Sequence, residues 1–311
     1  MNKETLINDI ITQNRNYAKE KTALKVKVAI LNTNISLSEL IYIDTISRVL
    51  SLKTTIDNDY LINSHTKYQT TAILDQYRIY FNNLLPIAKL NDNIETLLNI
   101  ITTSGYCSII DNSLYFENHK LVMDDGNYTD YLRKINYLYT VSPQYDKIYI
   151  YDDNSLEYTD ILKLLHINNV EVITLPDLPS VPNFENIDDL RIKSLKLEIT
   201  KEEIETIFKN INKLLSLSST ISANYEKLDT NIENNLITLL YNYNNIILKV
   251  VTTLNLNILK KYIVNIINTS NTYLQILENH KLQEEQINDL KALKIILTNS
   301  LDLLGIIPIY L

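Results

Sequence analysis

Few side chains in this sequence are of a type and spacing that make a reactive centre. The four histidines, His65, His119, His166 and His280, stand far apart in the sequence, with none of the short spacings that place two imidazoles on one metal ion. They read as structural or surface residues. Cys107 is the sole cysteine, which excludes an intrachain disulfide and a cysteine zinc cluster. Asp124-Asp125 and Asp152-Asp153 are paired acids of a kind that attracts cations, but acids paired in turns are ordinarily solvated, so no metal is expected. The chain has 3 glycines, Gly105, Gly126 and Gly305, and none falls in a Gly-x-Gly-x-x-Gly, P-loop or nucleophile-elbow pattern. No cofactor is expected, because a nucleotide loop needs glycine for the backbone to approach phosphate. What remains is basic and aromatic: Lys193, Lys196, Lys201, Lys249, Lys260 and Lys261, and 22 tyrosines, of which Tyr241 and Tyr243 share one predicted helix. Lysines neutralise phosphates and tyrosines stack on unpaired bases. The plainer alternatives are solvated lysines and core tyrosines, Tyr262 and Tyr273 among them.

Charge narrows the choice. The formal net charge is −8, against a protein that coats nucleic acid regardless of sequence, but compatible with one local basic face. A hydrophobic fraction of 45% over 311 residues suits two domains with their own cores. Asn, Ile, Leu, Lys and Tyr dominate, a bias that suggests an AT-rich genome, so Asn-rich stretches do not by themselves indicate disorder. The apolar runs are too short for a membrane span, and Met1-Asn2-Lys3-Glu4 lacks a signal peptide's apolar core. An intracellular, cytoplasmic protein with no membrane contact is expected.

The positioning elements follow from periodicity. Residues 1–23 read as a helix with a narrow apolar edge of Leu6, Ile7, Ile10 and Ile11. A strand spans 24–31, a helix 38–52 capped by Ser36 or Ser38, and a second strand 56–62. Residues 68–102 read as helix interrupted near Pro86. A hairpin is expected over 106–116 with Asp111-Asn112 at its turn, and a further turn at Asp124-Asp125-Gly126. After a helix over 128–139, strand 147–151, helix 156–165 and strand 170–175 form a strand–helix–strand unit and predict a parallel sheet. Pro176, Pro179 and Pro182 mark a linker. Helices then run from 187, and three amphipathic stripes over 231–311 can bury themselves only against one another. The last ends at Gly305 with Pro308 beyond.

The bundle also carries a resemblance. Asn271-Thr272-Tyr273, then Leu290-Lys291-Ala292-Leu293-Lys294, then Leu301-Asp302-Leu303-Leu304-Gly305-Ile306-Ile307-Pro308 resemble the DALR anticodon-binding domain that closes arginyl-tRNA synthetases. Upstream, Val26 to Leu31 resembles that family's first strand and Asp44 to Leu50 the helix after its signature loop. Asp59 to Asn63 resembles the next strand. Asp124 to Leu132 is similar to its Asp-Gly-x-x-x-Tyr-Leu segment, and Asp146 to Asp152 to the strand after it. The resemblance implies an α/β region followed by an all-α region. It divides the chain into an N-terminal helix (1–23), a degenerate Rossmann-like catalytic-like domain (24–182), a helical connector (183–230) and a DALR-type bundle (231–311).

The same resemblance shows what is missing. Class I synthetases form the adenylate with a His-Ile-Gly-His loop and a Lys-Met-Ser-Lys-like loop. The first should lie in Leu31-Asn32-Thr33-Asn34-Ile35-Ser36-Leu37-Ser38-Glu39, which has no His and no Gly and adds an acid. The second should lie near residues 176–190, where 179–185 has no Lys. Lys25 or Lys27 corresponds to a lysine that arginyl enzymes use before the first loop, though a strand lysine is more often a solvated edge residue. The chain is also shorter than a full arginyl enzyme with its usual N-terminal tRNA-binding domain. The expectation is an inactive arginyl-tRNA-synthetase-like protein, with no catalytic residue, that binds tRNA or serves as an accessory subunit. Tyr241, Tyr243, Asn245, Lys249, Lys260 and Lys261 would face the RNA, with Asn245 where the family has a basic residue. The alternatives are a scaffold subunit of a larger complex without RNA, and a divergent arginine–tRNA ligase.

Overall fold

The computed structural model describes residues 2–63, 67–152, 155–180, 186–217, 230–278 and 282–308. His65, His280, Asp153 and residues 181–185 of the expected second loop lie outside them. In chain order the elements are α1 (Lys3–Gln13), β1 (Lys25–Ile30), α2 (Leu37–Leu50), β2 (Thr55–Ile62), α3 (Lys67–Gln76), β3 (Asn83–Pro86), α4 (Ile94–Thr103), β4 (Cys107–Ile110), β5 (Ser113–Phe116) and β6 (His119–Val122). Then come α5 (Asp130–Val141), β7 (Lys147–Tyr151), α6 (Thr159–Leu164), β8 (Val170–Val172), α7 (Ile187–Ser194), α8 (Lys201–Leu217), α9 (Thr230–Thr253), α10 (Leu256–Leu277) and α11 (Glu284–Leu303). The order is α/β followed by all-α, as the periodicities predict. Among the described residues no helix is long and apolar enough to cross a membrane.

One compact unit comprises residues 22–35 and 54–176. Its five-stranded sheet has the order β3-β2-β1-β7-β8, and every pairing is parallel. Ala29, Leu61, Ile148 and Ile150 of the sheet join Leu97 and Ile101 of α4, Leu132, Ile135 and Leu138 of α5, and Ile161 of α6 in one apolar cluster. Each of these leucines and isoleucines contributes about 1.5–3 kcal/mol by leaving water. β3 corrects the helical reading of 68–102. Leu84, Leu85 and Pro86 pair with Tyr60, Leu61 and Ile62, at the edge of the sheet. An edge strand leaves one side of its backbone unpaired, so the missing N–H of Pro86 is no obstacle there.

A second, antiparallel sheet has the order β4-β5-β6. Asp111 and Asn112 turn the first hairpin with φ of 48° and 61°, the left-handed region their side chains tolerate. β6 extends the hairpin reading by a third strand.

The other compact unit comprises residues 1–21, 36–53 and 177–311. Helices α8 to α11 form the bundle, and α1 packs on α11. The predicted stripes are its core: Leu236, Leu240, Ile247 and Val250 on α9, Leu259, Ile263, Ile266 and Leu274 on α10, Leu290, Leu293, Leu297 and Leu301 on α11, all buried. Of residues 1–23, the helix covers Lys3–Gln13 and stops where Asn14 takes a φ of 49°. Leu6, Ile7 and Ile10 are its buried edge.

Gly305 closes α11 for a reason its φ of 69° only half explains. A Cβ there would lie 2.4 Å from the Arg191 guanidinium. Arg191 is fully buried; its NH1 donates to the Leu304 carbonyl at 2.9 Å and its NH2 to Asp44 Oδ2 at 3.0 Å. Arg48 Nε donates to the same Asp44 oxygen at 2.8 Å. A cation against the last carbonyls of a helix also offsets the negative end of its dipole.

Candidate functional site

In a parallel sheet of this kind ligands sit beyond the carboxyl ends of the strands, at the point where the connections reverse direction. Here that point lies between β1 and β7. Beyond β1 the Leu31 amide donates to the Tyr151 carbonyl at 2.8 Å, and Asn32 turns the loop by accepting from the Asn34 amide at 2.8 Å. Beyond β7 stands Asp152, buried, accepting from Lys134 Nζ at 2.7 Å and from the Tyr158 hydroxyl. Burial, then the Asp152 charge, pushes the Tyr158 hydroxyl far above its ordinary value, so it stays protonated. Tyr158 stacks on Tyr131 at 5.6 Å, and Tyr131 on His119 at 4.8 Å. The acid at the crevice is therefore committed to a lysine and a tyrosine of its own unit.

The loop runs covalently into α2, whose N-terminus belongs to the other unit. Leading amides of such a helix are a ready seat for phosphate. Ser36 caps it: its Oγ accepts from the Glu39 amide at 3.3 Å, and its own amide donates to Glu39 Oε2 at 2.7 Å. This reciprocal capping box puts a carboxylate at the head of α2, beside the Ser36 amide.

The strand lysines occupy ordinary structural places. Lys25 is exposed. Lys27 is buried and ion-paired with Asp59 at 2.9 Å, its ammonium 4.8 Å from the Tyr145 ring centroid. Burial pulls its pKa down, but the Asp59 contacts more than offset that and hold it above the ordinary lysine value. Asp59 also accepts from Tyr137 at 2.7 Å and Asn83 at 2.9 Å, so this network ties β1, β2, β3 and α5 together. At the opposite, amino end of β7 and β8 a depression of about 950 Å³ holds His166, Lys147 and Glu171, the last two paired with each other. Among the described residues no group of three His, Cys, Asp or Glu is placed to hold a metal ion.

On the bundle, Tyr241 (51% exposed), Asn245 and Lys249 follow one another at four-residue steps along α9, which puts them on one solvent face. Tyr243 faces the other way. It is 1% exposed, stacked on Tyr17 at 6.1 Å and tilted against Tyr262 at 5.9 Å. Tyr262 and Tyr273 are core residues, donating to the Leu239 carbonyl at 3.0 Å and to Asp289 at 3.3 Å. Lys260 and Lys261 line a groove of about 310 Å³ with Lys196. Lys201 stands apart, with Asp188 at 3.9 Å and Glu205 at 3.6 Å. Sequence reasoning listed Lys196 without seeing its neighbours, since its groove partners come from a helix more than 50 residues later. The buried pairing of Arg191 with Asp44, 147 residues apart, left no signal in the sequence.

No protein-family model and no curated protein sequence matches the chain. Solved structures do. A "putative arginyl tRNA synthetase" from Campylobacter jejuni aligns over 100% of both chains with a TM-score of 0.76 at 12% identity. The arginyl-tRNA synthetase of Thermus thermophilus aligns over 100% of this chain and 86% of its own, with a TM-score of 0.72 at 10% identity. That of Plasmodium falciparum covers 100% and 83%, with a TM-score of 0.62 at 12% identity. The chain thus resembles arginyl-tRNA synthetases in fold, as the motif order predicts, and at these identities the likeness is one of fold.

Proposed function

We propose that this chain is an arginyl-tRNA-synthetase-like protein without aminoacylation activity, which binds tRNA or serves as an accessory subunit. The observation that carries the reading is Glu39. Its carboxylate satisfies the Ser36 amide at the head of α2, where the synthetase fold would receive ATP phosphate. A bound phosphate there would meet like charge and have to displace a formed hydrogen bond. Loss of histidine and glycine from residues 31–39 supports the same reading, because those groups would steady the phosphates during attack by the arginine carboxylate. No cofactor and no metal enters it. The degenerate catalytic-like portion, 24–182, would then be scaffold, and the bundle, 231–311, the working part. Tyr241, Asn245 and Lys249 on α9, with Lys260 and Lys261 on α10, form the RNA-facing set, and Tyr243 supports α9 from beneath. The setting is intracellular and cytoplasmic.

ATP–pyrophosphate exchange with arginine is the first test. A flat trace is expected, and exchange above background would favour the divergent ligase instead. Filter binding of total tRNA across a salt series is the second, with binding that weakens as salt rises. No preference for tRNA over other RNA at moderate salt would remove the RNA half of the proposal. A scaffold role without RNA is the second reading, favoured by the net charge of −8 and by Ile109 and Ile110, 77% and 52% exposed on β4. Affinity pull-down with both RNA and protein identified separates the two.

A further inference from the structure

We propose that the groove between residues 196–198 and the first half of α10 is a seat for a phosphate group, held by Lys196, Lys260 and Lys261. The groove encloses about 310 Å³, enough for a phosphate and part of what carries it. Asn257, Lys260, Lys261 and Val264 fall at helical positions i, i+3, i+4 and i+7, so one polar face of α10 forms its wall, opposite the apolar face of Leu259, Ile263 and Ile266. Lys196 comes from the other wall. It follows α7 with a φ of 50°, and its ammonium donates to the Asp177 backbone carbonyl at 2.6 Å. Lys260 donates to the side-chain carbonyl of Asn257 at 3.0 Å. Both ammonium groups are thus oriented chiefly by neutral oxygens. Two acids accompany them, both exposed: Asp177, ion-paired with Lys196 at 3.8 Å, and Glu198 in the groove itself. Three lysines against Glu198 and the Asp177 carboxylate beside Lys196 still leave the groove with a net positive charge.

The Lys260 ammonium is held below the ordinary lysine pKa, first by burial, then by the Lys196 charge, with Glu198 opposing. Two cations that raise each other's energy in a partly desolvated groove are stabilised by an anion between them. Phosphate is the anion whose several acceptor oxygens can take donors from both walls together. The group could arrive on an RNA backbone or as free phosphate. The RNA source rests on the tRNA-binding reading above, whereas the free source does not.

The experiment uses the full chain, wild type and Lys196→Gln, Lys260→Gln and Lys260→Arg, with thermal melts to confirm that each is folded. One arm titrates sodium phosphate against sodium chloride at equal ionic strength and follows backbone amide shifts by NMR. Shifts at 196–198 and 257–265 with phosphate alone, lost in both Gln variants and kept in Lys260→Arg, are expected. The other arm measures tRNA affinity across a salt series. Each Gln variant should bind about tenfold more weakly, with the log–log salt slope reduced by about 1, and Lys260→Arg should restore it. Phosphate shifts without tRNA binding uphold the seat and overturn its RNA source. tRNA binding with unchanged slopes and no phosphate shifts overturns the seat and leaves the tRNA reading standing. Absence of both overturns both.

Discussion

Replacing Gly305 with alanine should be one of the most damaging single-methyl changes available in this chain. Two effects combine. At a φ of 69° a side chain costs about 1 kcal/mol. The added Cβ must also displace the Arg191 guanidinium, which would stand 2.4 Å away. Arg191 has no free path, being fully buried and bonded at 2.9 Å to the Leu304 carbonyl and at 3.0 Å to Asp44. Breaking a buried ion pair outright costs about 3–5 kcal/mol, and losing one hydrogen bond to a charged group about 1.5–3 kcal/mol. The smaller figure applies, because Asp44 keeps Arg48 at 2.8 Å. The sum for Gly305→Ala is about 3 kcal/mol. Urea denaturation of four proteins reads it: wild type, Gly305→Ala, Arg191→Met and the double variant. In the Arg191→Met background the glycine change should cost only its backbone strain, about 1 kcal/mol, leaving a coupling of about 2 kcal/mol. Equal cost in both backgrounds, or a loss below about 0.5 kcal/mol in the wild type, would refute the reasoning.

Further outcomes follow from the geometry. Ser36→Ala should cost about 1 kcal/mol by removing one half of the α2 capping box, and Glu39→Gln should leave pyrophosphate exchange flat, both measured on the same preparations. Tyr137→Phe should cost about 1.5 kcal/mol, since Asp59 retains Lys27 and Asn83, whereas Lys27→Met should cost about 3 kcal/mol or more by leaving a buried carboxylate without its cation; urea midpoints decide. Burial outweighs the Lys3 contact and holds the Asp289 carboxyl up at about 6, above its unfolded value. The folded state therefore keeps a proton that the unfolded chain releases, so this stabilisation is complete only below about pH 4 and is lost as pH rises through about 6. Carboxyl NMR should place that titration, and Asp289→Asn should remove the slope of stability between those limits.

Both halves of the architecture were legible because their periodicities differ. Residues 147–151 and 170–175 read as the two strands of a parallel unit, and Leu236 to Val250 and Leu290 to Leu304 as stripes at helical spacing. β3 was not legible, since two leucines followed by a proline between helical stretches carry no period; only pairing with β2 makes them a strand. The absence of histidine and glycine from residues 31–39 and the acid at the start of the helix could be read directly, whereas the reciprocal bonds between Ser36 and Glu39 emerged only from geometry. The six lysines could be named but not sorted: Lys196 meets Lys260 across more than 60 residues, while Lys201 turns to Asp188 and Glu205. Tyr241 and Tyr243 are two residues apart and separate completely, one in solvent and one between Tyr17 and Tyr262, because two residues are about 200° of helix.

The self-contained start of α2 bears on what can bind there. Introducing glycine and histidine into residues 31–36 would not by itself make an anion welcome, because the incoming group would compete with a tethered carboxylate at very high local concentration. Glu39 is in this sense a built-in competitor for any anion that approaches the head of the helix.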